Sequence, residues 1–138
     1  MRHLCIVLFA TLLTANAFGA EESAEDKIAR AQSAAHPAIS TDATIMDVDG
    51  TMLKKGSNEW VCMPGVRPGD KHPMCNDQVW VKLMQAAAAG ADFKAERIGV
   101  SYMLQGDMNV SNSNPAATDP NNGDVWVQEG PHIMVVAP

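Results

Sequence analysis

Two short segments set an imidazole and a thioether two residues apart: His72-Pro73-Met74 and His132-Ile133-Met134. Imidazole nitrogen and thioether sulfur suit Cu(I), above all in an oxidising space where thiolates are lost to disulfides. Residues two apart on a strand share a face, so His132 and Met134 can converge on one ion. His72, Met74, His132 and Met134 are therefore the candidate metal ligands, and copper is the cofactor they would take. The competing account is packing, with methionine filling the core and each imidazole hydrogen-bonded at its rim. Cys62-Met63 and Cys75 lie beside the first pair, and the oxidation state of the cysteines decides whether thiolate donors exist at all.

A second spacing points to phosphoryl chemistry. In Ile45-Met46-Asp47-Val48-Asp49-Gly50-Thr51 two aspartates stand one residue apart after an apolar run. The segment resembles the first motif of haloacid-dehalogenase-type phosphatases. That resemblance implies Asp47 as the nucleophile on phosphorus and Asp49 as the group handling the leaving-group proton, with Mg²⁺ between them. It also implies a helix soon after the motif and a later Gly-Asp, with a further acid, to hold the metal. The pairs available are Gly69-Asp70 in a proline-rich loop and Gly106-Asp107 in an Asn/Ser-rich one, and neither follows a strand–loop–helix order. Read from its own residues, Asp49-Gly50 between apolar runs is a hairpin turn. A divergent phosphatase is the second alternative to a non-catalytic protein, after the copper binder.

The compartment follows from residues 1–20, MRHLCIVLFATLLTANAFGA. Basic Arg2 and His3, an apolar stretch, and small residues up to Ala17, Gly19 and Ala20 form the pattern of a cleaved secretory signal peptide. The mature protein is expected to be exported, periplasmic or secreted. Cys5 leaves with the signal, and the isolated pair Cys62 and Cys75 should form a disulfide there. Ten Lys+Arg against 16 Asp+Glu, a net charge of −6, leave no electrostatic footprint for nucleic acid. No long apolar run follows Ala20, so no membrane span is expected in the mature form.

These residues must be positioned by short elements. Residues 21–42 read as a helical or partly disordered N-terminal arm whose apolar content is mostly alanine. Residues 43–48 and 51–54 read as the strands of the Asp-Gly hairpin, and 59–63 as a further strand. The tract 64–73, with three prolines and two glycines, is a loop. Asn76 as N-cap, an apolar stripe from Val79 through Met84, and Gly90 as stop define a helix over about 76–89. Residues 98–104, 124–128 and 132–137 read as strands, with a long Asn/Asp-rich loop over 105–124. The expected class is α+β: a small, mainly antiparallel sheet with one well-formed helix packed on it, forming a single domain over 43–138. Within the long loop, Asp107-x-Asn109-x-Ser111 begins like a calcium loop but lacks the turn glycine and the closing glutamate.

Several segments carry a wider likeness: Glu59-Trp60-x-Cys62-Met63-Pro64, Pro73-Met74-Cys75-x-Asp77, Ile98-Gly99-x-Ser101-Tyr102-Met103, and Gly130-Pro131-His132-Ile133-Met134. Together they resemble a family of small bacterial secreted proteins with no assigned activity. The resemblance lends no catalytic role to any residue. It implies further sheet-forming sequence beyond the Gly-Pro-His segment, so a chain ending at Pro138 is expected to be a truncated member. The expectation for function is a binding or structural module without catalytic machinery and with an unknown partner.

Overall fold

Asp49-Gly50 turns the chain as its sequence demands. Gly50 takes φ +87, a region closed to most side chains, and its N–H donates to Asp47 O at 3.0 Å. Strands β1 (Thr44–Met46) and β2 (Met52–Lys54) pair antiparallel on either side. The structure is a computed structural model and describes residues 22–114 and 117–138; the signal peptide assigned to 1–20 lies outside the described residues.

The chain continues through β3 (Val61–Met63), β4 (Met74–Asn76), helix α3 (Gln78–Ala88), β5 (Gly99–Met103), β6 (Val110–Ser111), β7 (Trp126–Val127) and β8 (His132–Val136). Ahead of β1 stand α1 (Ala24–Gln32) and α2 (Pro37–Ser40). Six strands form one sheet in the order β2-β1-β3-β4-β5-β8, and β6 and β7 form a separate two-stranded ribbon. Only β1 and β3 run parallel; the other neighbours are antiparallel. The protein is thus α+β with a mainly antiparallel sheet, but the sheet is larger than the small one expected. The additions are β4, central in the sheet in a stretch that sequence assigns to a loop end and a helix cap, and β6, inside the 105–124 tract expected to be a loop, which pairs with β7 in the ribbon. Three residues are too few to show a period, and β4 is defined by its neighbours rather than by its own pattern.

Register divides the sheet into two faces. Ile45, Cys62, Cys75, Tyr102 and Ile133 lie side by side across five strands and share one face. Cys62 and Cys75 face each other directly and are joined by a disulfide. Helix α1 lays Ala31 against this face, where Ala34, Ala35 and Ala43 join Ile45 and both cysteines in the buried core. Alanine lets the helix approach closely, and Ile28 and Ile39 pack against the same core. Ser23 caps α1 by accepting from Asp26 N at 3.1 Å, and Leu104 N donates to Ala34 O at 3.0 Å just beyond the helix. Trp60 and Tyr102 close the margin with ring centroids 5.5 Å apart.

The opposite face carries Thr44, Val61, Asn76, Ser101 and Met134 in one row. Helix α3 covers part of it. Asp77, not Asn76, is its N-cap, accepting from Trp80 N at 2.8 Å, because Asn76 is the last residue of β4 and fully buried. A Cβ on Gly99 would stand 2.7 Å from the Val79 side chain and 2.9 Å from that of Val136, so glycine permits the helix to sit on β5. Among the described residues no helix is long and apolar enough to cross a membrane.

Candidate functional site

Three sequence-distant segments wall a cleft of about 130 Å³: Lys27 and Arg30 from α1, Asp47 and Val48 from the β1–β2 turn, and residues of the 64–73 loop. Lys27 and Arg30 are three apart in α1 and so share a helix face. The loop is held at both ends by the Cys62–Cys75 bridge and contributes Pro64, Arg67, Gly69, Asp70 and Lys71. Four cations and three acids, Glu22 among them, therefore line one small space.

The acids are already engaged. Asp47 Oδ2 lies 2.6 Å from Lys27 Nζ, and Asp47 Oδ1 accepts from Val48 N at 2.8 Å. The hydrogen bond from Lys27 holds the Asp47 carboxyl below its ordinary value, against the opposing effect of burial. Asp70 has a fully buried side chain and satisfies its own loop: Oδ2 accepts from Val66 N at 2.8 Å, and Oδ1 from His72 N and His72 Nδ1, both at 2.9 Å. Glu22 pairs with Arg30, whose Nε also donates to Pro64 O at 2.8 Å. Arg67 reaches the other way, through Nε to Met108 Sδ at 3.0 Å and Nη1 to Ala117 O at 3.2 Å, pinning the long loop to the proline loop.

Of the phosphatase candidates, the cleft brings together Asp47 and Gly69-Asp70 but not Asp49. Asp49 is exposed at the hairpin turn, where Oδ1 accepts from Thr51 N at 2.8 Å. After Thr51 the chain returns as β2, and the next helix is α3. Among the described residues no three of His, Cys, Asp and Glu converge as a metal site.

Of the soft-ligand candidates, His72 lies near the end of the same loop, Met74 opens β4, and His132 and Met134 lie on β8. Met74 is 4% exposed. Met103 and His132 are direct partners across β5 and β8, and Met134 lies opposite Ser101, one row further along the same face. His132 Nδ1 stands 2.7 Å from Gly130 O.

Compared with models of known protein families, with curated proteins and with solved structures, the chain matches none. The site therefore rests on its own geometry.

Sequence reasoning missed Lys27, Arg30, Arg67 and Lys71 as a group. The i, i+3 spacing of Lys27 and Arg30 on a recognisable helix was the available signal, but an exposed basic pair is common and carries no address. Met103 belongs to the strand expected over 98–104. Its strand was legible, and its position beside His132 needed the β5–β8 register.

Proposed function

We propose that the protein is an exported, non-catalytic binding module whose ligand is a small polyvalent anion held in the cleft by Lys27, Arg30, Arg67 and Lys71. The observation that carries this reading is a concavity lined by four cations against three acids, a local excess of positive charge in a chain of net charge −6. Guanidinium groups present planar donor forks that match carboxylate and phosphate oxygens. Among the described residues the Nη2 atoms of Arg30 and Arg67 make no hydrogen bond, which leaves donors for a ligand. A non-catalytic role is supported by the acids of the cleft: Asp47 is held by Lys27 and Asp70 by its own loop, so neither is poised as a nucleophile or metal ligand. Export is supported by the signal pattern of 1–20 and by the disulfide, which persists in oxidising compartments.

Amide NMR titration with inorganic phosphate and with citrate tests the reading. Saturable shifts should concentrate at 27–30, 47–48 and 64–71, weaken with added chloride, and fall away in Lys71→Ala and Arg30→Gln. Absence of saturable shifts at millimolar anion, or shifts spread over the surface, would reject it. Turnover of a phosphate monoester with Mg²⁺ that is lost in Asp47→Asn would replace it with the phosphatase reading.

A further inference from the structure

The two His-x-Met segments are distant in sequence, yet the sheet sets them on either side of β5. Met63 and Met74 are direct partners across β3 and β4, and Met103 and His132 across β5 and β8. Cys75 opposite Tyr102 and Asn76 opposite Ser101 fix the β4–β5 register, so alternation puts Met74 and Met103 on that same face. Met74, Met103 and His132 thus occupy one face on three adjacent strands, and His72 stands two residues ahead of Met74.

Both imidazoles are oriented in the same manner. His72 Nδ1 is tied to Asp70 Oδ1 at 2.9 Å and His132 Nδ1 to Gly130 O at 2.7 Å. A carboxylate or backbone carbonyl on one ring nitrogen is the arrangement that fixes the tautomer and direction of a metal-binding histidine. Among the described residues neither Nε2 makes a hydrogen bond.

We propose that His72 and His132, through Nε2, and Met74 and Met103, through sulfur, form a Cu(I) site on this face. The donor set selects the ion. Both described cysteines are consumed by the disulfide, and among the described residues no three of His, Cys, Asp and Glu converge, so the donors left on this face are imidazole and thioether, which favour Cu(I) over Zn²⁺ or Mg²⁺. Met74 and Met103 are 4% and 1% exposed, whereas the His72 side chain is 33% exposed. The sulfurs therefore form a dry floor and the imidazoles a rim through which the ion arrives. The set differs from the two sequence pairs alone: Met103 takes the place of Met134, which lies a row away beside Ser101. The proposal does not depend on the anion cleft, and the failure of either leaves the other standing.

The test is competition for Cu(I) between the disulfide-intact mature protein and a chromophoric Cu(I) chelator, with ascorbate as reductant because it spares the disulfide. One Cu(I) per chain should bind more tightly than micromolar. Met74→Leu and Met103→Leu conserve volume and so keep the core filled while removing the sulfur. Each, like His72→Gln and His132→Gln, should weaken binding by about tenfold or more with the fold retained by circular dichroism. Binding no tighter than micromolar overturns the site, as does tight binding unaffected by the methionine variants. Should a leucine variant fail to fold, X-ray absorption of the copper-loaded wild-type protein decides: sulfur and nitrogen neighbours support the site, and nitrogen or oxygen alone overturns it.

Discussion

Lys27 Nζ lies 2.6 Å from Asp47 Oδ2 and joins the first helix to the first hairpin. The pair is a polar tie for α1, which also docks through Ala31 and Ile28. It also decides the chemistry of Asp47, because a carboxylate paired this closely is neutralised rather than nucleophilic. The pairing depresses the Asp47 carboxyl below 3.8 in the folded protein. A depressed folded value means stability that is present above the unfolded value and lost as pH falls through the folded one. Lys27→Met should cost about 1 kcal/mol or less at neutral pH, since the pair is only partly shielded from water. The cost should vanish in acid below the carboxylate range. Urea unfolding of both proteins at neutral and strongly acidic pH measures it, and a pH-independent cost would mean that the lysine stem, rather than its charge, is what matters.

The Cys62–Cys75 bridge spans a sequence separation of 13 and crosses two paired strands in the core row. It restrains the unfolded chain and pins both ends of the loop that walls the cleft. Reduction should lower unfolding free energy by about 3 kcal/mol in the chain-entropy account. Cys62→Ala/Cys75→Ala should match the reduced protein, and both should lose the amide shifts that anions induce at 64–71. Denaturant midpoints with and without reductant, read beside the anion titration, check both statements.

Hairpin, disulfide, helix α3 and terminal strand were legible in the chain because each carries its own local signal: Asp-Gly, an isolated cysteine pair, a 3.6-residue stripe, and a β-branched run. Strand β4 and the docking of α1 were not. Met74-Cys75-Asn76 becomes a strand because β3 and β5 flank it, and Ala31 becomes core because a disulfide-bearing sheet lies beneath it. The same limit applies to the sites. His72, Met74 and His132 could be named from spacing, whereas Met103, Lys27 and Arg67 acquire meaning only from strand register and from which loops meet. Asp47 shows the converse: a strong local motif whose partners, Lys27 and Val48, give it a structural task.

Gly99 is where the second layer meets the sheet. Its missing Cβ leaves room for Val79 and Val136, which a methyl group would approach to 2.7 and 2.9 Å. Backbone at β5 and the first turn of α3 cannot both give way, so Gly99→Ala should destabilise by about 1–3 kcal/mol through overpacking. Val79→Ala in the same chain should recover only part of that loss, because it removes the Val79 Cγ1 contact but leaves the Val79 Cβ at 2.7 Å and Val136 Cγ1 at 2.9 Å. A double-mutant cycle by thermal unfolding gives the coupling, and additive effects would show that the cost lies elsewhere.

Asn76 and Ser101 are direct partners across β4 and β5, both fully buried, with Ser101 Oγ donating to Asn76 Oδ1 at 2.6 Å. Asn76 Nδ2 finds no acceptor among the described residues. Burying one amide end unsatisfied is costly, and the hydroxyl is what keeps the other end from the same fate. Ser101→Ala should therefore cost about 1–3 kcal/mol, more than the net worth of one neutral hydrogen bond, since it strands the carbonyl as well. Removing both polar groups with Asn76→Leu/Ser101→Ala should return most of the lost stability, because an apolar pair of similar shape leaves nothing to satisfy. The comparison is sharp because the two schemes differ in sign at the second step. If the double variant unfolds more easily than Ser101→Ala alone, Asn76 contributes through contacts beyond this bond, and the free Nδ2 is satisfied by a group outside the pair.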